Sequence, residues 1–386
     1  MKSLFLHGYG LSIRVKNTSL VFSQGLDPFS DKKEVLELPA RACPFDKVII
    51  QGKGYVSTEA LQYLAESNIN VVMLDKRGKL YSYFHQIGGH EPLIRQQQYD
   101  CFRDEEKLEY LRKWIVKEKI ESQIKLFKEF VAEPLRVYNN YNEKWQICNN
   151  QSSGLNYSLR VKPEAKDKIR KAISHMEKHY GRLDSAKELR QIMKVESDVS
   201  KLYYPTFCQL FNPELGFYSR NNQRTFRSND ASDVINGLLN YGFAILYAEV
   251  AKQLNALGLD CFVGFYHKNH PSHLALVYDM IEPFRHVVDR SAFEIQDEIR
   301  KKDYAFSREG VVMLSNELKK KYIDLLSTIF DRKRLYKART GIRRKDGYQR
   351  MEEITIMKMK CIALSEFIKG RNNNSWTVQI LSSPLD

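Results

Sequence analysis

The sequence predicts an α+β protein: a small N-terminal β-rich domain over residues 1–90, followed by a larger, mostly α-helical catalytic and DNA-binding domain over residues 91–386. Three observations predict this order. The first hundred residues carry short β-prone runs separated by turn residues. A glycine pair, Gly88-Gly89, ends that pattern. Beyond about Glu91, apolar residues recur at helical spacing, as in Leu108, Leu111, Trp114, Ile115, Ile120, Ile124 and Phe127.

In chain order, residues 3–6, 11–15 and 20–23 read as strands, with Lys16-Asn17 as a turn between two of them. Residues 47–50 and 70–74 read as buried strands. Between them Ser57 suits a helix N-cap ahead of Ala60, Leu61, Tyr63 and Leu64. Lys76-Arg77-Gly78 reads as a turn before a strand at residues 80–84. Residues 108–130 form one long helix. Residues 138–157, rich in Asn and without period, read as a loop or insertion. Helical patterns resume near Pro163 and dominate to about Gly370. The polar tail, residues 371–386, packs loosely on this reading.

The chain has 386 residues, 61 Lys+Arg against 47 Asp+Glu, and a formal net charge of +14, which favours a polyanionic partner. No continuous run of about 18 apolar residues is evident, so a membrane-spanning helix is not expected. The N-terminus lacks a long apolar stretch with a cleavage site, and a cytoplasmic location is expected. The cysteines, Cys43, Cys101, Cys148, Cys208, Cys261 and Cys361, are scattered with no CxxC pair, which argues against a thiolate zinc site and a disulfide framework.

Glu196 is the first informative residue. On a helix over residues 186–203, Leu189, Ile192, Met193, Val199 and Tyr203 define an apolar stripe, and Glu196 falls on it. A carboxylate there must be paired, protonated or metal-bound. From this helix alone, a buried salt bridge is the commoner reading. A second constellation follows. The apolar residues 261–266 deliver His267 to the start of a polar loop, and a helix from about Leu274 places Asp279 and Glu282 three apart. One imidazole and two acids suit Mg²⁺ or Mn²⁺; a solvated acidic helix face explains the same residues. His267, His270 and His273 resemble a zinc loop only weakly, because Pro271 interrupts them. Arg220, Arg224 and Arg227, with Lys268, Arg285 and Arg290, surround these segments. The clusters 319–321, 332–334 and 343–345 follow. Each alone suits a solvated face. Together with the net charge they favour phosphate-backbone binding.

Four sequence words then identify a resemblance. They are Asp233-Val234-Ile235-Asn236-Gly237-Leu238-Leu239-Asn240-Tyr241-Gly242-Phe243-Ala244-Ile245-Leu246-Tyr247, Gly258-Leu259-Asp260, Gly264-Phe265-Tyr266-His267 and Tyr278-Asp279-Met280-Ile281-Glu282-Pro283-Phe284-Arg285. In this order and spacing the chain resembles the universal CRISPR adaptation integrase, the "Cas-one" family. The resemblance extends through the N-terminal segment and to residues 353–370. It implies one divalent ion, Mg²⁺ or Mn²⁺, held by Glu196, His267 and Glu282, with Asp279 as an acid beside the site. Where the family usually has a Glu-Gly-x-Ala-like context, this chain has Glu196-Ser197-Asp198-Val199, with Tyr203 kept.

By resemblance, the activity is metal-dependent joining of 3′-hydroxyl DNA ends to repeat DNA and cleavage of branched DNA. The implied partners are double-stranded and branched DNA, a second copy docked through the β domain, and a small second adaptation protein; no membrane is implied. One alternative is a casposase, a transposon-encoded integrase. Such relatives usually carry a C-terminal helix-turn-helix, for which residues 371–386 are too few. The other alternative is a basic helical nucleic-acid-binding scaffold without chemistry, which explains the charge but not the ordered His/Asp/Glu words.

Overall fold

The computed structural model describes residues 2–26, 34–75, 78, 80–84, 93–132, 136–139, 144–147, 157–220, 230–270, 273–337 and 348–370. Its first part is one six-stranded mixed sheet: β1 (Ser3–Lys16), β2 (Ser19–Ser23), β3 (Val35–Pro39), β4 (Lys47–Val56), β5 (Asn70–Leu74) and β6 (Leu80–Phe84), in the order β3-β2-β1-β4-β5-β6. Helix α1 (Thr58–Glu66) joins β4 to β5, which run parallel, as β1 and β4 do. The Ser57 hydroxyl accepts from the Ala60 amide at 3.2 Å, the cap its position predicts. The two runs expected at residues 3–6 and 11–15 are a single strand. A register shift between Tyr9 and Leu11 lets it bend without ending. Asn17 takes φ 55°, which suits the turn into β2. Strand β3 was not expected.

Alternation along these strands feeds two cores. Leu6, Val48, Ile50 and Val71 point to a cluster with Ala60 and Leu64 of α1. Their neighbours Phe5, Ile49 and Val72 point to the other side, into the main core of the helical region. Sheet and helices are further tied by a buried ion pair, Lys47 to Glu249 at 3.1 Å, and by Gly78, where a Cβ would lie 2.3 Å from the Tyr241 ring.

The rest is mainly helical: α2 (Ile94–Arg103), α3 (Glu105–Val131), α4 (Tyr157–Arg160), α5 (Pro163–Tyr180), α6 (Leu189–Cys208), α7 (Val234–Ala256), α8 (Ala275–Ile281), α9 (Arg285–Ile295), α10 (Asn316–Phe330) and α11 (Glu353–Ile368). Among the described residues three antiparallel strand pairs interrupt it, and they correct the expected loop and the expected run of helices: β7 (Arg136–Asn139) with β8 (Lys144–Ile147), β9 (Tyr304–Phe306) with β10 (Val312–Leu314), and β11 (Lys333–Lys337) with β12 (Tyr348–Glu352). The β9–β10 turn places Gly310 at φ 76°, a conformation that ends helical continuation. Gly88-Gly89, most of the Asn-rich stretch and residues 371–386 lie outside the described residues.

Helix α7 bears on the membrane argument. It is long and apolar enough to cross a membrane by length and composition, with mean hydropathy 1.3 in its most apolar window; 89% of that window is buried inside the protein. It is the central helix, packed against α8, α9, α10 and α11. Five described cysteines, Cys43, Cys101, Cys208, Cys261 and Cys361, are free thiols.

Candidate functional site

Helix α3 runs through the body for 27 residues, started by Asp104, whose carboxylate accepts from the Lys107 amide at 3.1 Å. It faces α6 and the short 3-10 turn Glu282–Phe284 that separates α8 from α9. Pro283 sits inside that turn, and Glu282 itself keeps helical angles, φ −54° and ψ −42°. The proline is accommodated by a change of helix type, with no break in the chain's turn. These elements bring Glu196 of α6 and Glu282 together on one cation, the Lys119 ammonium of α3.

Lys119 pairs with Glu196 Oε1 and lies 2.8 Å from Glu282 Oε2. Glu196 Oε2 accepts from the Tyr266 hydroxyl at 2.6 Å. Glu282 Oε1 accepts from Arg285 Nη1 at 3.2 Å. Glu282 is buried, and burial favours its neutral form. The charges of Lys119, Arg285 and His267 outweigh that and hold its pKa at about 2. Burial likewise opposes the charged Lys119, but Glu282 and Glu196 keep its pKa above the ordinary lysine value. Glu196 is less enclosed, with a side chain 21% exposed. The stripe argument located it with one error: Met193 is 49% exposed and Val195 is buried, so the stripe is rotated towards Ile192, Val195, Val199 and Tyr203, with Glu196 at its rim.

Asp279 is wholly buried and does a different task. Its oxygens accept from the backbone amides of Phe265, Tyr266 and His267, and Oδ1 lies 2.8 Å from His267 Nδ1. The carboxylate thus organises the turn carrying His267 and accepts a hydrogen bond from Nδ1, leaving Nε2 as the nitrogen available to a ligand. Burial pulls the His267 pKa down, while the hydrogen bond and charge of Asp279 pull it up more strongly, so it is raised. Gly264 is needed here: a Cβ on it would lie 2.7 Å from Asp279 Oδ2 and from the Ala275 backbone.

Of the basic residues singled out, Arg220 is half-buried, donating to Asn236 Oδ1 and Asn240 Oδ1 at 2.8 Å each. Arg285 stacks on Phe243 at 4.3 Å from the ring centroid, and Arg220 lies 5.5 Å from the same ring. Lys268 is exposed. Arg224, Arg227 and the cluster at 343–345 lie outside the described residues. Arg290, Arg332 and Arg334 are internal pairs and not a phosphate-facing set: Arg290 and Arg334 meet Glu129, and Arg332 meets Glu294. Lys119 was missed, although it stands +4 from Ile115 and +3 from Val116, the argument that found Glu196.

Among the described residues, no three His, Cys, Asp or Glu side chains converge closely enough to hold a metal ion. The chemistry of Glu196, His267 and Glu282 nevertheless suits one. Glu282 Oε2 is buried with no donor aimed at it in hydrogen-bonding geometry, although the Lys119 charge is close. Glu196 already shares that cation, and the orientation of His267 is fixed from behind by Asp279. Two carboxylates and one imidazole nitrogen suit Mg²⁺ or, better, Mn²⁺.

The family model described as CRISPR associated protein Cas1 matches residues 4–328. The chain belongs to that family. It is 26% identical over 345 residues to a CRISPR-associated endonuclease Cas1 of Methanospirillum hungatei, covering 88% of this chain and 91% of that one. It is 26% identical over 300 residues to a CRISPR-associated protein Cas1 of Methanobrevibacter ruminantium, covering 76% and 77%. Among solved structures, a casposase bound to integration product superposes with TM-score 0.77 at 23% identity, covering 100% of this chain and 96% of that one. A Cas1 protein from Thermotoga maritima superposes with TM-score 0.65 at 16% identity, covering 99% and 100%. These two likenesses establish the shared fold.

Proposed function

We propose that the chain is a metal-dependent DNA integrase and endonuclease of CRISPR adaptation, which joins 3′-hydroxyl ends of captured DNA to repeat DNA and cleaves branched DNA. The single observation that carries this reading is the convergence of Glu196 and Glu282 on one cation beside an imidazole held by Asp279. A bound Mg²⁺ or Mn²⁺, held by Glu196, His267 and Glu282, would act as a Lewis acid on the target phosphodiester. The chain's own groups do the rest. Asp279 keeps His267 Nε2 turned outward. Tyr266 restrains Glu196. Arg220 and Arg285, braced by Asn236, Asn240 and Phe243, offer two guanidinium groups to a phosphate. In joining, the incoming 3′-oxygen bonds to phosphorus and the bond to the target strand's 3′-oxygen breaks. One diester replaces another, so no external energy source enters. Water in place of the 3′-hydroxyl gives cleavage.

Relatives named as endonucleases, the casposase solved with its integration product and a solved complex titled Cas6-RT-Cas1–Cas2 support DNA as partner and a small second adaptation protein beside it. A homodimer through the β-rich domain is supported by the apolar residues exposed on the sheet's two edge strands, Val35 at 59% and Tyr81 at 79%. The test is strand transfer and branched-DNA cleavage by the purified chain, with and without Mg²⁺ or Mn²⁺ and the small partner, after sedimentation. His267→Ala is expected to lower both activities at least ~100-fold with DNA affinity within ~3-fold of wild type. Metal-independent activity, or full activity in the variant, overturns the assignment; a monomer in sedimentation overturns the dimer.

A further inference from the structure

The acids of the site are gathered by a lysine, and no activity considered so far uses it. Lys119 is 7% exposed in the middle of α3, and its four-carbon stem leads to the gap between α6 and the Glu282 turn. We propose that Lys119 is a built-in competitor for the divalent ion: its ammonium occupies the place between Glu196 and Glu282 until a metal ion displaces it. The inference rests on the metal reading above and adds what governs loading.

Three observations carry it. First, the ammonium touches both acids that the metal would need, pairing with Glu196 Oε1 and lying 2.8 Å from Glu282 Oε2. Second, the pairing is incomplete. Glu282 Oε2 receives charge from Lys119 without a well-directed hydrogen bond, whereas the buried Lys47 donates to Glu249 Oε2 at 3.1 Å. Third, Lys119 stands between the two acids, so an ion bridging Glu196 and Glu282 requires side chains to move. The flexible lysine is the group best able to do so, since its rotors allow a swing that the packed backbone does not.

Charge counting gives the direction. Glu196 and Glu282 together carry two negative charges, and Arg285 already meets one oxygen of Glu282. A divalent ion matches the two acids. An ammonium left between them would add a like charge within a few ångströms of the metal, which is strongly unfavourable in a buried setting. Lys119 therefore stabilises the metal-free chain and weakens metal uptake by the free energy of its own displacement.

The test uses the full chain with Lys119→Met, nearly matched in length and neutral. Mn²⁺ binding is measured by calorimetry and by the spin-resonance signal of free Mn²⁺, and melting is followed with and without the ion. The variant is expected to bind Mn²⁺ at least ~10-fold more tightly than wild type. It should melt lower without metal and recover in saturating Mn²⁺. Equal or weaker binding by the variant overturns the inference while leaving the metal reading intact. A wild-type chain that binds neither Mn²⁺ nor Mg²⁺ overturns both. If Lys119→Met folds only with Mn²⁺ present, that supports the inference, and Lys119→Gln, neutral but still able to donate to a carboxylate, supplies the affinity comparison. If both variants stay unfolded even in Mn²⁺, Lys119 is a structural cation and the inference fails.

Discussion

Helix α3 carries the buried Lys119 and the half-buried Glu129, charges whose surroundings differ in kind. Glu129 meets Arg290 through both oxygens, and Oε1 also accepts from Arg334 at 3.0 Å. Arg334 continues to Glu353 and donates to His286 Nε2 at 2.8 Å, while His286 Nδ1 reaches the Pro283 carbonyl at 3.0 Å. Burial would favour a neutral Glu129, yet Arg290 and Arg334 hold its pKa at about 2. This assembly is closed, joining α3, α9, β11 and α11 with directed hydrogen bonds. The Lys119 assembly is less complete: Glu282 Oε2 has no directed donor. Similar ingredients thus serve two ends. A satisfied buried network fixes structure, and a partly satisfied one at a rim leaves capacity for a ligand.

The contrast can be broken most directly at Arg334. Arg334→Met leaves Glu129 and Glu353 short of a partner and is expected to cost ~3–5 kcal/mol in urea unfolding. His267→Ala should stay within ~1 kcal/mol of wild type, because Asp279 keeps its three backbone donors. Equal losses in the two variants would erase the distinction. A finer probe is pH. Burial pulls the His286 pKa down to about 4. Above about pH 6.5 neither folded nor unfolded chain protonates it. As pH falls towards 4 the unfolded chain takes a proton that the folded chain refuses, so stability declines by at most ~1.4 kcal/mol per pH unit. His286→Gln should remove this contribution, seen as a shallower acid loss than wild type between pH 6.5 and 4; parallel curves would show that the imidazole is charged in the fold. The smallest effect belongs to Arg220→Ala, which should reduce the slope of log K against log salt for duplex DNA by ~0.9. An unchanged slope would make Arg220 a packing residue held by its two asparagines.

Much of this was legible beforehand because it depends on local pattern. The Ser57 cap, the strands at residues 70–74 and 80–84 and the long helix now seen as α3 follow from turn chemistry and periodicity. Glu196 was found because an acid on an apolar stripe is anomalous. Lys119 escaped the same test because a lysine on a stripe usually extends its stem and carries its charge to water. Only the tertiary approach of α6 and the Glu282 turn closes that exit. Arg332-Lys333-Arg334 read as a phosphate-binding cluster for a related reason: sequence shows a run of charge but not the distant acids Glu294, Glu129 and Glu353 that absorb two of its members. The sheet also looked separable at residue 90. Phe5, Ile49, Val72 and Leu74 belong to the main core, so removing the first ninety residues would strip one wall of it.

Helix α7 has a consequence for how the chain is made. It is apolar enough to span a bilayer, and α8, α9, α10 and α11, which cover it, all follow it in sequence. At ~5–20 residues per second of synthesis, the covering helices arrive over roughly 6–22 seconds. During that interval a growing chain presents a membrane-like segment to the ribosome's surroundings, with the finished sheet as its main available cover. The helix that places Asn236 and Asn240 behind Arg220 is therefore also one whose apolar faces wait for later helices to cover them.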